Sequence, residues 1–399
     1  MQSAFRRNLV RLHTWVGLSA GFAMLFLAVT GGLLVMRPHF EDMLNRNLVS
    51  ASTCAAPLPL DRVGEIARAA GPREKLDSYE IAREPGRSVA VKFGNKDYVY
   101  VDACTGRVQG VQNQYGGFYG VVDWLHRFRF MENGRDVAGW LNLTVLVFLV
   151  VGGLVLWWPA SRGGFKAALQ FNGRLPGIAR TLSLHKVIGI YACALLLALT
   201  VTGLPLSFDW AKGVIAAATH SPTENPRHKF PHLKLRGPRL PVEVLWTRAE
   251  AAVPDMTWGA IKTAKDNGVV EVELLQRGAP HANAKSYLYL NSVTGQVLEF
   301  APYATAMPLG RKVYLYVLAL HSGLIGGISY QLALMVACFS VPVQVYSGLS
   351  PYLRKKFRRA ARPGLALRVV ARREEAEGVC SFEFEEARGR PLPPFSAGS

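Results

Sequence analysis

The sequence is poor in residues that mark several common functions. It has five cysteines and no Cys-x-x-Cys pair, so the cysteines lack the spacing of zinc ribbons and dithiol redox sites. Its long apolar stretches carry no carboxylate near their middle, since Glu41 and Asp209 lie at stretch ends. This argues against a transporter that works through a carboxylate relay. The net charge of +18 comes without a nucleic-acid-binding motif, so we expect no nucleic-acid partner.

What the sequence does contain is membrane-spanning segments. Hydrophobic residues make up 50% of the chain, and four stretches, at 12–36, 137–158, 184–208 and 328–349, have the ~20 residues needed to cross a bilayer. The first is too long for a signal-peptide core and lacks a clean cleavage site, so we expect a retained span. Lys and Arg cluster before the first span, between the second and third, and after the fourth. The positive-inside rule then predicts a multi-pass membrane protein with both termini cytoplasmic.

The chain also repeats itself. A His-x3-Gly motif followed by Thr-Gly occurs in the first and third spans with the same spacing; the residues are His13, Gly17, Thr30, Gly31 and His185, Gly189, Thr202, Gly203. The outer loops repeat as well, since YVYVDACTGRVQG (98–110) parallels YLYLNSVTGQVLE (287–299), each downstream of an amphipathic helical run. These patterns predict two pseudo-symmetric halves, each with a small outer domain of helix and antiparallel strands.

Four histidines fit this repeat. His13 and His185 lie at the cytoplasmic ends of spans one and three, and His126 and His321 precede spans two and four at the outer face. Two pairs of imidazoles on facing helices are the usual axial ligands of b-type haem. We therefore predict two haems, one bound by His13 and His185 and the other by His126 and His321. Nearby glycines would let a flat macrocycle approach the helices; they are Gly17, Gly21, Gly189, Gly323, Gly326 and Gly327.

Several of these residues could equally serve structural roles. An interfacial histidine often only reaches toward water or caps a helix, and tryptophans at span ends form an aromatic belt. The Thr-Gly pairs are expected to permit close helix packing. Cys54 and Cys104 share one outer loop, where an oxidising compartment would allow a disulfide between them. A basic outer loop could attract an anionic ferric complex; its residues are Arg227, Lys229, Lys234, Arg236 and Arg239.

Together these residues resemble the PepSY-associated transmembrane family, in which LHxxxG…TG spans alternate with periplasmic PepSY domains that end in a vDxxTGxv hairpin. The hairpin is VDACTGRV here (101–108), and LNSVTGQV in the second copy (290–297) has Asn for Asp. The resemblance covers about 5–357, although span four ends in VPVQVYSGLSPY instead of TGxxxW, and the stretch after the outer histidine is altered to HRFRFMENGRD. It implies an inner-membrane reductase with two b haems that passes electrons to a periplasmic ferric-siderophore.

The expected fold class is therefore a membrane α-helical protein with four transmembrane helices, two pseudo-symmetric halves and two periplasmic α+β PepSY-like domains. The predicted boundaries are 1–36 (N-terminus and first helix), 37–136 (first PepSY-like domain), 137–159 (second helix), 160–183 (cytoplasmic loop), 184–208 (third helix), 209–327 (second PepSY-like domain), 328–350 (fourth helix) and 351–399 (basic linker and tail).

The tail predicts one β-hairpin, from LRVVARR and VCSFEFEE. It resembles the opening of a ferredoxin-reductase-type FAD domain, and FAD is expected only where a fuller domain exists. That resemblance implies a cytoplasmic flavin/NAD(P)H reductase module as electron donor. The function expected from the sequence is a ferric-chelate oxidoreductase that needs no catalytic acid or base. The alternative is a membrane protein that binds or regulates through its PepSY domains, without redox activity.

Overall fold

The computed structural model describes residues 4–70, 74–94, 96–159, 164–226, 230, 237–263, 267–361, 367–376, 379–387 and 389. The helices are α1 (Ala4–Val35), α2 (Arg37–Leu44), α3 (Arg46–Val49), α4 (Leu60–Ala70), α5 (Gly117–His126), α6 (Gly134–Thr144), α7 (Gly152–Trp157), α8 (Gly164–Ala168), α9 (Gly177–Ser207), α10 (Asp209–Thr219), α11 (Val242–Ala252), α12 (Tyr303–Ala306), α13 (Leu309–His321) and α14 (Gly327–Ala361). The strands are β1 (Leu76–Ala82), β2 (Val89–Phe93), β3 (Asp97–Val101), β4 (Val108–Asn113), β5 (Met256–Lys262), β6 (Val269–Gln276), β7 (Ser286–Asn291), β8 (Val297–Ala301), β9 (Leu367–Ala376) and β10 (Val379–Glu386).

Four helical segments of the described chain are long and apolar enough to cross a membrane, as predicted. They are Ala4–Val35, Gly134–Trp157, Gly177–Ser207 and Gly327–Arg354. Their outward faces expose large apolar side chains such as Phe22 (80% exposed) and Val336 (66%), which water would not favour and lipid would. The protein is therefore a multi-pass membrane protein. We call the ends of the spans next to the large sheet the outer ends and the opposite ends the inner ends.

The second span is not a regular α-helix. A π-helical stretch, Val145–Val151, joins α6 to α7 in one continuous rod. Its sequence, VLVFLVV, is rich in β-branched valine, which crowds the preceding turn of a helix. Such widened turns change which carbonyl each N–H meets, and they occur often at functional sites.

The two predicted outer domains share a single eight-stranded antiparallel sheet. The strand order is β4-β3-β2-β1-β5-β6-β7-β8, and β1 of the first half pairs with β5 of the second, with Tyr79 opposite Ile261. The prediction of two separate domains is corrected in this respect. Each four-stranded half would otherwise leave the backbone of one edge strand unpaired, and pairing the two edges satisfies those groups.

One face of this sheet packs against α4 and α11. The core between them includes Val63 and Ala249 from the helices and Val91, Leu274 and Leu288 from the strands, none of which is accessible to solvent. Each fully buried aliphatic side chain of this size contributes ~1.5–3 kcal/mol. Buried residues alternate with less buried ones along the strands. Because every second residue of a strand points to the same face, the alternating buried residues lie on the face that α4 and α11 cover.

Helices α4 and α11 also cap each other. The carboxylate of Asp61 in α4 accepts hydrogen bonds from the backbone N–H groups of Val242 (3.0 Å) and Glu243 (3.1 Å) at the start of α11. In return, Glu243 accepts one from the N–H of Leu60 (2.8 Å). Negative charge at a helix N-terminus is favourable, so this exchange ties the two repeats together across the sheet.

The vDxxTGxv motif is a turn. Asp102 Oδ1 accepts from the N–H of Cys104 (2.8 Å) and Asn291 Oδ1 from that of Val293 (2.8 Å), and both turns close on a glycine with positive φ. Asn has the same side-chain oxygen as Asp, which is why the second copy tolerates the exchange. Cys104 in the first turn forms a disulfide with Cys54, with a Cα–Cα distance of 5.7 Å.

The tail contains the predicted hairpin, in which β9 and β10 pair antiparallel. The rest of the tail beyond 389, and four members of the basic loop (Arg227, Lys229, Lys234 and Arg236), lie outside the described residues.

Candidate functional site

All four predicted histidines line one cavity of about 1280 Å³ between the spans. At the inner end, its wall includes Arg6, Trp157 and Lys186 around His13 and His185. At the outer end, the wall includes Arg37, Asp123, Arg127 and Arg135 around His126 and His321. The remaining wall is mainly apolar and comes from α1, α9, α14 and the second span. The repeat-based pairs therefore share one space that runs from the inner to the outer end.

The outer histidines are not carried by the spans themselves. His126 is the last residue of α5 and His321 the last of α13, so both precede spans two and four, as the sequence predicted. A turn follows each short helix before the next span begins, with φ of 52° at Phe128 and 72° at Gly323. These turns reverse the chain, so α5 packs on α1 and α13 packs on α9.

The inner histidines are oriented by backbone carbonyls of neighbouring helices. His13 Nδ1 lies 2.9 Å from the carbonyl oxygen of Phe148, which belongs to the π-helical stretch. His185 Nδ1 lies 3.0 Å from the carbonyl oxygen of Gln344 and 3.2 Å from Ser347 Oγ. A carbonyl can only accept, so Nδ1 of each neutral ring must carry the hydrogen. The lone pair is then on Nε2, the arrangement that a metal-binding histidine needs.

The outer histidines are oriented by the Thr-Gly motif of their own half. His126 Nδ1 lies 3.0 Å from Thr30 Oγ1, and His321 Nδ1 lies 3.2 Å from Thr202 Oγ1 and 3.1 Å from the Leu199 carbonyl. Each threonine hydroxyl already donates to a carbonyl of its own helix, at 2.7 and 2.6 Å. Its oxygen therefore accepts from the ring, and Nε2 again keeps the lone pair.

These outer rings are neutral at physiological pH. The pKa of both His126 and His321 is lowered to about 4, mainly by burial, and for His126 the neighbouring His321 is the second cause. Neutral imidazole is the form that binds iron.

A glycine lies under each of the four rings. A Cβ added to Gly153 or Gly348 would come within 3.2 or 3.3 Å of Cε1 of His13 or His185. A Cβ on Gly31 or Gly203 would come within 3.1 or 3.3 Å of Cε1 of His126 or His321. Any larger residue would force the ring to move. The hydrogen bond at Nδ1 and the close contact of a glycine with Cε1 together fix the position of each imidazole from two directions.

The spacing of the inner pair fits a shared iron. The ring centroids of His13 and His185 are 6.3 Å apart, and their planes cross at 86°. A metal–imidazole nitrogen bond is about 2 Å long, so two rings on opposite sides of one metal have centroids about 6 Å apart. Within the described chain no group of three or more His, Cys, Asp and Glu could hold a bare metal ion. Haem needs only two protein ligands, because the porphyrin supplies four nitrogens. The residues present therefore fit haem.

The sequence identified the histidines but only some of their neighbours. Gly17 and Gly189 line the cavity as predicted, whereas Gly21, Gly323, Gly326 and Gly327 are not part of its wall. The sequence predicted only helix packing for the Thr-Gly pairs, although they hold the outer rings. Ser347-Gly348, in the stretch where span four departs from the family pattern, holds His185 in the same way. A hydroxyl residue followed by glycine was thus a usable signal in three of the four cases.

The remaining histidines do not join the cavity wall. His39 Nε2 forms a 2.6 Å hydrogen bond with Gln331, which links α2 to α14. His220 is exposed in the left-handed conformation that ends α10. His281 is buried against Tyr303 and Tyr316. His228 and His232 lie outside the described residues.

The arginines at the outer end are paired with carboxylates. Arg37 binds Glu41 through two hydrogen bonds of 2.7 and 2.6 Å, and Arg127 binds Asp123 at 2.7 Å. Arg135 binds Asp209 at 2.8 Å, and hydrogen bonds from Arg135 and Lys212 lower the pKa of Asp209 to about 2. The outer end of the cavity is therefore close to charge balance.

Comparison with known families agrees with this architecture. A family model described as the PepSY-associated TM region matches residues 10–355, and the chain belongs to that family. No curated protein matches the sequence.

Proposed function

We propose that this member of the PepSY-associated TM region family is a di-haem b electron-transfer protein of a bacterial inner membrane, and that it reduces a periplasmic ferric chelate of the iron-siderophore class. The observation that carries the proposal is the set of four oriented histidines on one cavity, each with Nδ1 engaged by a neighbouring helix and Nε2 left for a metal. His13 and His185 would hold one haem, and His126 and His321 the other.

Two b haems, when bound, supply one-electron transfer between the ends of the cavity. The chain supplies the rest. Its carbonyls and threonine hydroxyls hold the imidazoles in one tautomer, and its glycines keep the ring positions open to a flat ligand. Its apolar wall keeps water away, which lowers the local dielectric and influences the redox potential.

The proposed orientation follows from charge. Lys and Arg concentrate at the inner ends of the spans, which favours a cytoplasmic inner end and cytoplasmic termini. The large sheet would then lie in the periplasm, beside the outer histidines, where it would position the ferric acceptor. The disulfide of Cys54 and Cys104 suits that oxidising compartment.

The electron source in this proposal is a cytoplasmic flavin/NAD(P)H reductase. The β9–β10 hairpin resembles the start of a FAD domain, but two strands cannot enclose a core. FAD would bind only to a fuller domain, so the reductase is a separate or fused module. Electron transfer to iron requires no catalytic acid or base, and the proposal assigns none to the chain.

The first test is an absorption spectrum of the detergent-solubilised full-length protein, oxidised and then reduced with dithionite, together with a pyridine haemochrome count. We expect the sharp reduced bands of bis-histidine b haem and about two haems per chain. His220→Asn is the matched control, because it removes an exposed histidine outside the cavity and should leave the count unchanged.

A colourless protein, after expression with ample haem, would disprove the proposal. The alternative would then be a protein that binds or regulates through its outer sheet, with the four histidines in a structural role. Reoxidation of the reduced protein by a ferric hydroxamate chelate would separate electron transfer to iron from haem binding alone.

A further inference from the structure

The inner ends of the spans and the loop between the second and third spans carry no Asp or Glu, although the tail that follows the fourth span contains several, such as Glu374 and Glu375. Asp and Glu are absent from residues 1–40, 137–208 and 300–373, which supply the inner part of every span and the loop between the second and third. The exposed cations of this region include Arg11, Lys166, Arg174, Arg180 and Lys186, of which Lys186 lines the cavity. The outer end differs, since its arginines at 37, 127 and 135 each bind a carboxylate.

The described residues of the inner loop, 164–176, form a platform that packs against the second and third spans. Trp157 Nε1 donates to the carbonyl of Ala168 at 3.2 Å, and the rings of Trp157 and Trp158 both pack on Phe165. The N–H of Asn172 donates to Ser183 Oγ at 3.1 Å. These contacts attach the loop to the second and third spans, so its cations are held at fixed positions beside the cavity.

The cavity reaches this platform. Arg6 and Lys186 line its inner end together with Trp157, next to His13 and His185. A partner that lies on the platform would therefore be close to the inner histidine pair. Positive charge on the span ends and the loop, where no Asp or Glu occurs, attracts an acidic surface and speeds its association.

We propose that the inner face, defined by Arg11, Lys166, Arg174, Arg180 and Lys186, is the docking surface for a small acidic one-electron carrier protein of the flavodoxin class. This inference rests on the proposed function and names the class of carrier that would bring electrons from the reductase to the inner histidine pair. In the overall reaction, the reduced carrier loses one electron and one ferric ion of the chelate gains it, becoming ferrous. No bond is formed or broken at the docking surface itself.

Positive residues at the inner ends also serve topology, and anionic lipid headgroups would bind them too. Two observations favour a protein carrier. The cations of the loop are spread over a folded segment and not only along the span ends, and Arg6 and Lys186 line the inner end of the cavity beside His13 and His185. A lipid surface would require neither the platform nor its place beside the cavity.

The test measures binding of a purified acidic flavodoxin to the full-length protein in phosphatidylcholine nanodiscs, by biolayer interferometry at salt concentrations from ~20 to ~200 mM. We expect affinity to fall steeply with salt. The combined variant Lys166→Glu, Arg174→Glu, Arg180→Glu should raise Kd about tenfold or more. The matched control, Arg46→Glu, Arg107→Glu, Arg277→Glu, makes the same charge change on exposed outer residues and should leave Kd unchanged.

Three results would overturn the proposal. They are salt-independent or undetectable binding, an unchanged Kd in the inner variant, and complete loss of binding when ~30% phosphatidylglycerol is added, which would identify lipid as the occupant. A basic cytochrome of similar size should not bind. The salt dependence of the unmodified protein keeps the test valid if the variant misfolds.

Repeating the measurement with His13→Ala, His185→Ala protein separates the two proposals. Docking should persist there, because the surface does not include these histidines. Binding without any haem spectrum in the unmodified protein would reject the proposed function and leave the docking surface standing.

Discussion

The two ends of the cavity hold their histidines by different means. At the inner end, carbonyls of Phe148 and Gln344 orient the rings, and all four groups belong to the spans. At the outer end, Thr30 and Thr202 orient rings carried by α5 and α13, the short helices that connect the sheet to the spans. The inner site therefore depends on helix packing alone. The outer site also depends on how the sheet is attached to the bundle.

The largest expected effect comes from removing one ligand at one end. His13→Ala should lower the haem content by about half and affect only the inner haem, and His126→Ala should do the same at the outer end, because each iron depends on its own pair. Haemochrome counts and redox titration of the remaining haem measure this. Loss of both haems from either variant would contradict two independent sites.

The second-largest effect is expected from removing the threonine hydroxyls of the repeated Thr-Gly motif, which contact the histidine rings at the outer end only. Thr30→Val and Thr202→Val keep side-chain shape but remove the hydroxyl that accepts from Nδ1. His321 keeps the Leu199 carbonyl as an acceptor, so the Thr202 variant should show the smaller loss. We expect haem affinity at the outer site to fall ~10–100-fold, the usual result of losing such a partner. Haem titration of the apoprotein tests this, with Thr30→Ser as rescue and Thr219→Val, in α10, as control. A matching change at the inner site would refute the distinction between the ends.

The third effect is a loss of stability on removing the reciprocal caps between α4 and α11, which connect the two halves of the sheet region. Asp61→Ala should destabilise the sheet region by about 0.5–2 kcal/mol, because it leaves two helix N–H groups without their cap. Glu243→Ala removes one such bond and should cost less. Urea unfolding followed by fluorescence of the sheet tryptophans compares them, with Glu65→Ala, from an exposed ion pair, as the control. Equal losses in all three variants would rule out reciprocal capping.

The smallest expected effect is a difference in acid sensitivity between the Asp102 turn and the Asn291 turn. Burial would raise the pKa of Asp102, but hydrogen bonds from the Ser52 and Cys104 N–H groups outweigh it and hold the pKa at about 2. Its contribution to stability is therefore present above the ordinary value of 3.8 and is lost as pH falls toward 2. Asp102→Asn should remove this acid sensitivity while keeping the turn, as Asn291 does. Unfolding midpoints at pH 7 and ~3 test it; an unchanged pH dependence would argue against Asp102.

Much of the candidate site could be predicted from the sequence because the repeat marks it. The same spacing in both halves identified His13 with His185 and directed attention to His126 with His321. A hydroxyl residue before glycine marked three of the four holding groups, but Phe148 and Gln344 could not be predicted, because they contribute only backbone carbonyls, which every residue has. Gly153 and Gly348 were missed for a related reason: glycine is common, and only contact with a ring distinguishes these two.

The fold of the outer region was likewise predicted only in part. Alternating residues and the Thr-Gly turns predicted antiparallel strands downstream of a helix in each half, and the sheet contains both sets. The pairing of β1 with β5 depends on backbone groups at two edges separated by the second and third spans, and no local pattern specifies it. The charged loop of the second half was expected to attract the acceptor; four of its five residues lie outside the described residues, so this stays a prediction.

The sequence by itself determined the spans, the duplication and the four histidines of the cavity, because periodicity, length and residue chemistry are local properties. Only the tertiary structure decided which nitrogen of each imidazole is free, that the outer rings reside on α5 and α13, and that the two halves share one sheet. Those features arise from backbone groups and close approaches between distant segments, and such contacts exist only once the chain has folded.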